Sequence, residues 1–276
     1  MQSPLRYPGG KSWLVRDFLR YMRMDTQEVL SPFLGGGAIE LNLALMGKKI
    51  YAYDICPNLI NFWQHWIDSP FKIEQDAKKL LEGFNYSKLK QIKTNFNFKG
   101  YEGAVYYYAC NRISFGGVVW GSHVRLYEKV DGKFVYPLHK NQTSRRNVFP
   151  FTHLWRILPR VNIHVGIQDF KSSLEMHPDI FTYLDPPYVG TEDLYGLKDF
   201  DHIGLYNILH TRRNWILSYN DSEMIRQLYA DYKRIKYASR NFNTSKMEPK
   251  DLVILSQDIA SNYKGIPEQL NLFSDA

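Results

Sequence analysis

Cysteine is scarce in this 276-residue chain: Cys56 and Cys110 stand far apart, and neither belongs to a CxxC pair. That argues against a disulfide framework or a cysteine-built zinc site, and it fits a reducing compartment. The eight histidines are scattered, with no HExxH or comparable ligand spacing, so no metal is expected. No apolar run approaches the ~18–20 residues that span a bilayer. The opening MQSPLRYPGGKSWLV lacks the apolar stretch of a secretion signal. The expectation is a cytoplasmic protein with no membrane attachment. Repeats and low-complexity segments are also lacking.

Positive charge and aromatic rings are plentiful. The net charge is +7 and the pI about 9.1, a surplus that favours a polyanionic partner because each Lys or Arg laid on a phosphate releases counterions. Aromatic residues reach 15%, with 20 tyrosines and 6 tryptophans, enough for a core and for stacking surfaces besides. The 44% hydrophobic and 23% charged content is that of an ordinary globular α/β chain.

The chain opens on a short loop, YPGGK, and a helix with Trp13, Leu14, Phe18, Leu19 and Met22 at apolar positions. EVLSPF reads as a strand ending in LGGG, AIELNLALMG as a helix stopped by Gly47, and KKIYAYDI as a second strand with Asp54 at its end. This is a β-α-β unit with a glycine-rich first turn. From residue 58 to 155 the strand–helix rhythm lapses. NLINFWQHWI and IEQDAKKLLEGFNYSKLKQIK look helical, the latter a solvated face of alternating charge. A Tyr- and Gly-rich stretch follows, with hairpin character between Gly116 and Val135 at the turn signal VDGK, and then a basic turn, KNQTSRRN. The rhythm returns with strands at VNIHVGIQDF, IFTYLDPPY, NWILSYND, RIKYASRNF and DLVILSQD, and helices at HIGLYNILHTRR and EMIRQLYADY. The expected architecture is an α/β, Rossmann-like core over 1–57 and 156–276, interrupted by an inserted domain over 58–155.

Two motifs carry chemistry. In Phe33-Leu34-Gly35-Gly36-Gly37, glycines between strand and helix let backbone N–H groups approach a ligand at a helix N-terminus. Asp54 follows Gly35 by about twenty residues, at the end of the next strand, where an acid commonly binds a ribose hydroxyl pair. Turn and acid together point to an adenosine-containing cofactor, either a dinucleotide or S-adenosylmethionine. The second motif is Asp185-Pro186-Pro187-Tyr188, delivered at the carboxyl end of a strand, where α/β sheets place their sites. Two prolines fix the backbone and remove two N–H donors, leaving carbonyls free to accept. An exocyclic amino group offers two N–H bonds: Asp185 can take one, the Pro186 carbonyl the other, while Tyr188 offers a stacking face.

In that order and context the chain resembles the DNA adenine methylase (Dam) family of N6-adenine methyltransferases, the D12 class. Tyr7-Pro8-Gly9-Gly10-Lys11 is similar to the family's N-terminal Gly-Gly-Lys element, and Ser31-Pro32-Phe33-Leu34-Gly35-Gly36-Gly37 to its glycine turn. Tyr53-Asp54-Ile55 resembles its ribose-holding strand end. Asn111-Arg112-Ile113-Ser114-Phe115-Gly116-Gly117 resembles part of the target-recognition region, and Gln168-Asp169-Phe170 the element beside the cofactor's adenine ring. Leu217-Ser218-Tyr219-Asn220-Asp221 resembles the strand after the catalytic motif. Two positions depart. Gly116 replaces an Asn. Ser31 replaces the acid that faces the cofactor's amino group, so that carboxylate is either lost or supplied by another group.

The resemblance implies a seven-stranded, mostly parallel core, S-adenosylmethionine as cofactor, and transfer of its methyl group to adenine N6 in flipped-out duplex DNA. It implies a catalytic set of Asp185, Pro186 and Tyr188. The cofactor set would be Tyr7, Lys11, Phe33, Gly35, Gly37, Asp54, Asp169, Phe170 and Asp185, with no metal. Arg112, His123, Arg125, Lys129, Lys140, Arg145 and Arg146 are the candidate DNA contacts, as base readers or phosphate holders. The setting it implies is a bacterial or phage-encoded enzyme near the nucleoid, with a restriction endonuclease as a functional partner. Three other readings stand beside it: methylation of adenine in RNA or of cytosine N4, a nicotinamide-dependent oxidoreductase, and a catalytically silent DNA-binding relative. The oxidoreductase would want a glycine where Glu40 stands and leaves Asp-Pro-Pro-Tyr unexplained.

Overall fold

The computed structural model describes residues 3–7, 9–11, 14–81, 98–114, 117, 119, 128–130, 133–135, 161–192, 199–240 and 247–262. Seven strands form one sheet: β1 (Glu28–Ser31), β2 (Lys49–Asp54), β5 (Ile163–Ile167), β6 (Phe181–Leu184), β7 (Trp215–Asn220), β8 (Lys233–Arg240) and β9 (Met247–Leu255). The order is β5-β2-β1-β6-β7-β9-β8. Neighbours pair parallel from β5 to β7, while β9 runs antiparallel to both β7 and β8. The α/β, mostly parallel seven-stranded core expected from the sequence is therefore present.

Burial on both faces explains why the central strands read as apolar runs: all four residues of β6, Phe-Thr-Tyr-Leu, are buried. On one face Val29, Ile50, Phe181, Ile216 and Val253 meet α1 (Val15–Tyr21), α2 (Ala38–Leu45) and α3 (Pro57–Asp68). On the other, Leu30, Leu184, Leu217 and Ile254 meet α6 (Phe170–Met176), α7 (His202–His210) and α8 (Glu223–Leu228). Local signals set the helix starts. Pro57 occupies the first turn of α3. The side chains of Asp169, Asp201 and Ser222 cap α6, α7 and α8. A last helix, α9 (Gln257–Asn262), follows β9.

Between β2 and β5 the chain forms α3, α4 (Pro70–Leu81) and α5 (Gly100–Ile113). Their buried side chains, among them Phe62, Trp63, Trp66, Ile73 and Tyr108, belong to the same apolar cluster as β1 and β2. The Phe62 ring stacks on Tyr108 at 5.6 Å. The Tyr- and Gly-rich stretch read without a helix thus contains a 14-residue one. It shows no amphipathic period because nearly all of it is buried, from Gly103 to Ile113 apart from Tyr106. Gly103 is required there: a Cβ would lie 2.3 Å from the Phe98 carbonyl carbon. Further on, β3 (Glu128–Val130) and β4 (Lys133–Val135) pair antiparallel with Val130 opposite Lys133, in line with the expected hairpin.

Candidate active site

After β5 the chain returns to the middle of the sheet, laying β6 beside β1. At such a reversal of strand order the loops leaving adjacent strands diverge, opening a crevice at their carboxyl ends. Ser31 ends β1 and Asp185 follows β6, so the two motif-bearing turns flank this crevice.

Lys11 brings a cation to it. Its Nζ lies 2.9 Å from Asp185 Oδ1, donates to the Gly9 carbonyl at 2.6 Å, and sits 4.7 Å from the centre of the Tyr188 ring. Lys11 is buried, and Asp185 keeps a partly open side chain. Withdrawal from water pushes the Asp185 carboxyl above its usual range, and Lys11 pulls it back down. The ammonium therefore helps to keep Asp185 ionised, and so an acceptor only.

The glycine turn is held from several sides. Gly35 and Gly37 have φ of +44° and +63°. A Cβ on Gly35 would come within 2.9 Å of the Tyr7 ring, and one on Gly37 within 2.6 Å of Trp63. The Trp63 indole donates to the Gly35 carbonyl at 3.0 Å. Asp54 accepts from the Gly35 and Cys56 amides at 3.1 and 3.0 Å. Burial raises its carboxyl, and those amides partly offset the rise.

Ser31 does not stand alone. Its hydroxyl donates to Glu40 Oε1 at 2.6 Å, from β1 to the first turn of α2. Glu40 is buried, and desolvation, reinforced by the Asp185 charge, pushes it up to about 7, against the Ser31 hydrogen bond. Tyr183 and Ser218 lie in the same interior, and neither Tyr183 Oη nor Ser218 Oγ has a hydrogen-bond partner of good geometry among the described residues. Glu40 escaped the sequence reading because the contact spans nine positions across a turn, a separation with no helical or strand period.

Three phenyl rings, two on carboxyl-end loops and Phe170 at the start of α6, converge nearby. Phe33 lies 5.8 Å from Phe170 and 5.7 Å from Phe200, and Phe170 lies 5.3 Å from Phe200. Phe200, which no sequence motif marks, completes the wall. Asp169 is spent locally: it accepts from Ser172 N and Oγ as the cap of α6, which holds its carboxyl low.

The loop after Asp185 is tied to the core behind it. His202 contacts Tyr219 Oη at 2.5 Å through Nδ1 and Glu192 at 3.1 Å through Nε2. Glu192 also accepts from the Gly190 amide at 3.1 Å, and Asn220 donates to the Val189 carbonyl at 3.0 Å. The Tyr219 and Tyr188 rings lie 5.9 Å apart.

Arg112, expected at the DNA, is placed otherwise. It is buried and its Nη1 donates to the Pro4 carbonyl at 3.1 Å, so in this arrangement the guanidinium braces the N-terminal segment and is not offered to a phosphate. Lys129 lies on the β3 backbone. His123, Arg125, Lys140, Arg145, Arg146, Trp13 and Gly116, with the helical stretch expected beyond Leu81, lie outside the described residues.

Sheet order defines a doubly wound α/β core, and the family match makes the class a methyltransferase. The family is narrower: the D12 class N6 adenine-specific DNA methyltransferase model matches residues 7–242, and the chain belongs to that family. The resemblance drawn from the motifs is thereby borne out. The chain is also similar to the type II methyltransferase M.CviBI of Paramecium bursaria Chlorella virus NC1A. The two are 21% identical over 244 residues, covering 87% of this chain and 91% of the viral protein.

Proposed function

We propose that this chain methylates the N6 amino group of adenine in duplex DNA, using S-adenosylmethionine. The observation that carries the reading is the Lys11–Asp185 pair, at 2.9 Å, in the crevice between β1 and β6. The residues present fit that cofactor. Asp54 suits a ribose diol, the Phe33–Phe170–Phe200 wall an adenine face, and the buried Glu40 a primary ammonium. An ammonium beside Glu40 would ionise a carboxyl otherwise raised by burial, and this coupling of charge to binding makes Glu40 the group that takes the place of the acid missing at Ser31. Bound there, the cofactor supplies a methyl group already activated on a sulfonium.

What remains for the protein is orientation and electrostatics. The target lone pair is delocalised into the adenine ring. Acceptance of its two N–H bonds by Asp185 and the Pro186 carbonyl would turn that lone pair toward the methyl carbon. Tyr188 would stack on the base. A base inside a duplex cannot adopt this pose, so it is flipped out at a cost of a few kcal/mol, offset by pocket contacts. After transfer, in which the methyl group would leave the sulfonium sulfur as it bonds to nitrogen, the nitrogen would give up a proton that Asp185 is placed to accept and pass to water. The segment between α5 and β5, with the β3–β4 hairpin, Lys129 and the basic residues 123–146, is the part we assign to reading the duplex. A restriction endonuclease is the functional partner suggested by the type II designation of the viral relative.

Incubation with methyl-labelled S-adenosylmethionine and mixed-sequence duplex DNA, followed by digestion to nucleosides, tests the reading. Label in N6-methyldeoxyadenosine is expected. Label confined to RNA or to N4-methylcytosine would overturn it, as would no transfer with Asp185→Ala indistinguishable from the unsubstituted chain.

A further inference from the structure

The stretch Asn111-Arg112 closes α5, and neither side chain faces solvent. Asn111 is wholly buried and engages both backbone groups of Arg6. Its Oδ1 accepts from Arg6 N at 2.9 Å, and its Nδ2 donates to Arg6 O at 2.8 Å. The second Nδ2 hydrogen goes to Gly117 O at 2.7 Å. The amide thus mimics a backbone partner for the N-terminal segment and at the same time grips the first turn beyond α5. Arg112 adds its bond to Pro4 O. Gly117 has φ of +79°, and a Cβ there would lie 1.8 Å from Arg6 O, so the two segments touch backbone to backbone.

From this anchor to Lys11 is five residues, and the interval is braced. Tyr7 lies under Gly35 and Gly36. Gly10 N donates to Tyr7 O at 3.1 Å, and Lys11 O accepts from Leu14 N at 2.9 Å ahead of α1. A strap this short would carry a displacement of Arg6 to Lys11 and hence to Asp185.

We propose that Asn111 is a positioning residue that holds the strap so that Lys11 meets Asp185, joining the segment that leaves α5 to the catalytic carboxylate. The inference rests on the assignment of Asp185 to methyl transfer. It differs from a DNA-contact role for this motif, since the amide spends both donors and its oxygen inside the protein.

A double-mutant cycle tests it: Asn111→Ala, Lys11→Met and both together, each assayed for single-turnover methyl transfer. Asn111→Ala should slow transfer by up to about 100-fold, the penalty typical of a misplaced catalytic group. The double variant should be no slower than Lys11→Met alone. Multiplied losses would show that Asn111 does not act through Lys11 and would overturn the proposal. Asn111→Asp keeps the volume but sets a buried carboxylate oxygen against the Arg6 and Gly117 carbonyls, so it should slow transfer at least as much as Asn111→Ala. Amide hydrogen exchange gives a readout independent of activity. Protection at residues 5–7 and 9–11 should fall in both Asn111 variants, with β6 and β7 unchanged. Unaltered strap protection would sink the proposal even if no methyl transfer is found for any form, a result that would count against the functional reading alone.

Discussion

Ser31 and Glu40 share a hydrogen bond of 2.6 Å in the interior, between the end of the first strand and the first turn of the helix that follows it. A carboxyl from α2 therefore stands at the end of β1, although the strand itself ends in a hydroxyl.

The buried Glu40 makes stability depend on pH. Its folded value of about 7 lies above the ordinary 4.5 of an unfolded glutamate, so the folded chain binds more protons between those values. Stability contributed by this group is present below about 4.5 and is lost as pH rises through about 7. Glu40→Gln should remove that loss and raise the unfolding free energy at pH 8 by up to about 3 kcal/mol, with little change at pH 4.5. The same substitution should weaken S-adenosylmethionine binding at least ten-fold, measured by calorimetry. Unchanged affinity would remove Glu40 from the cofactor set.

Lys11→Met takes away the charge that pulls the Asp185 carboxyl down. With burial unopposed, ionisation of Asp185 should need a higher pH. The acidic limb of the rate–pH profile should move upward, and transfer at pH 7 should fall on the order of 10–100-fold. A limb that stays in place would mean that another group controls it.

His202 ties Glu192 to Tyr219 behind the loop that carries Tyr188. His202→Ala leaves the buried Tyr219 hydroxyl without this bond, a penalty of about 1–3 kcal/mol, while the partly exposed Glu192 can turn to water. Slower transfer with unchanged donor affinity is expected, read by single-turnover rate and calorimetry. A fall in donor affinity with an intact rate would contradict a loop-holding role.

Gly37→Ala forces a side chain into φ +63° and against the Trp63 indole. A cost of about 1–3 kcal/mol follows, visible as a lower thermal midpoint, with weaker donor binding as the turn shifts.

The strands of the core were legible because parallel strands covered on both faces leave apolar runs, as in Phe-Thr-Tyr-Leu before Asp185. The glycine turn and Asp185 were legible because their chemistry lies in contiguous residues. Three features were not. Helix α5 hides its period by being buried nearly all round. Phe200 and Glu40 join the site only when loops or a turn fold back, so linear spacing carries no trace of them. Arg112 is expected at the DNA because a motif states composition and not direction, yet its guanidinium turns inward, to the Pro4 carbonyl.

Trp63 holds the Gly35 carbonyl from α3 while Tyr7 presses on the same turn from the N-terminal segment. Rings from two distant stretches thus shape this loop as part of folding itself. A loop shaped in advance loses little freedom when a small molecule arrives. Donor association should then be fast and nearly independent of whether DNA is present, leaving the slow, selective step to the duplex and its displaced base.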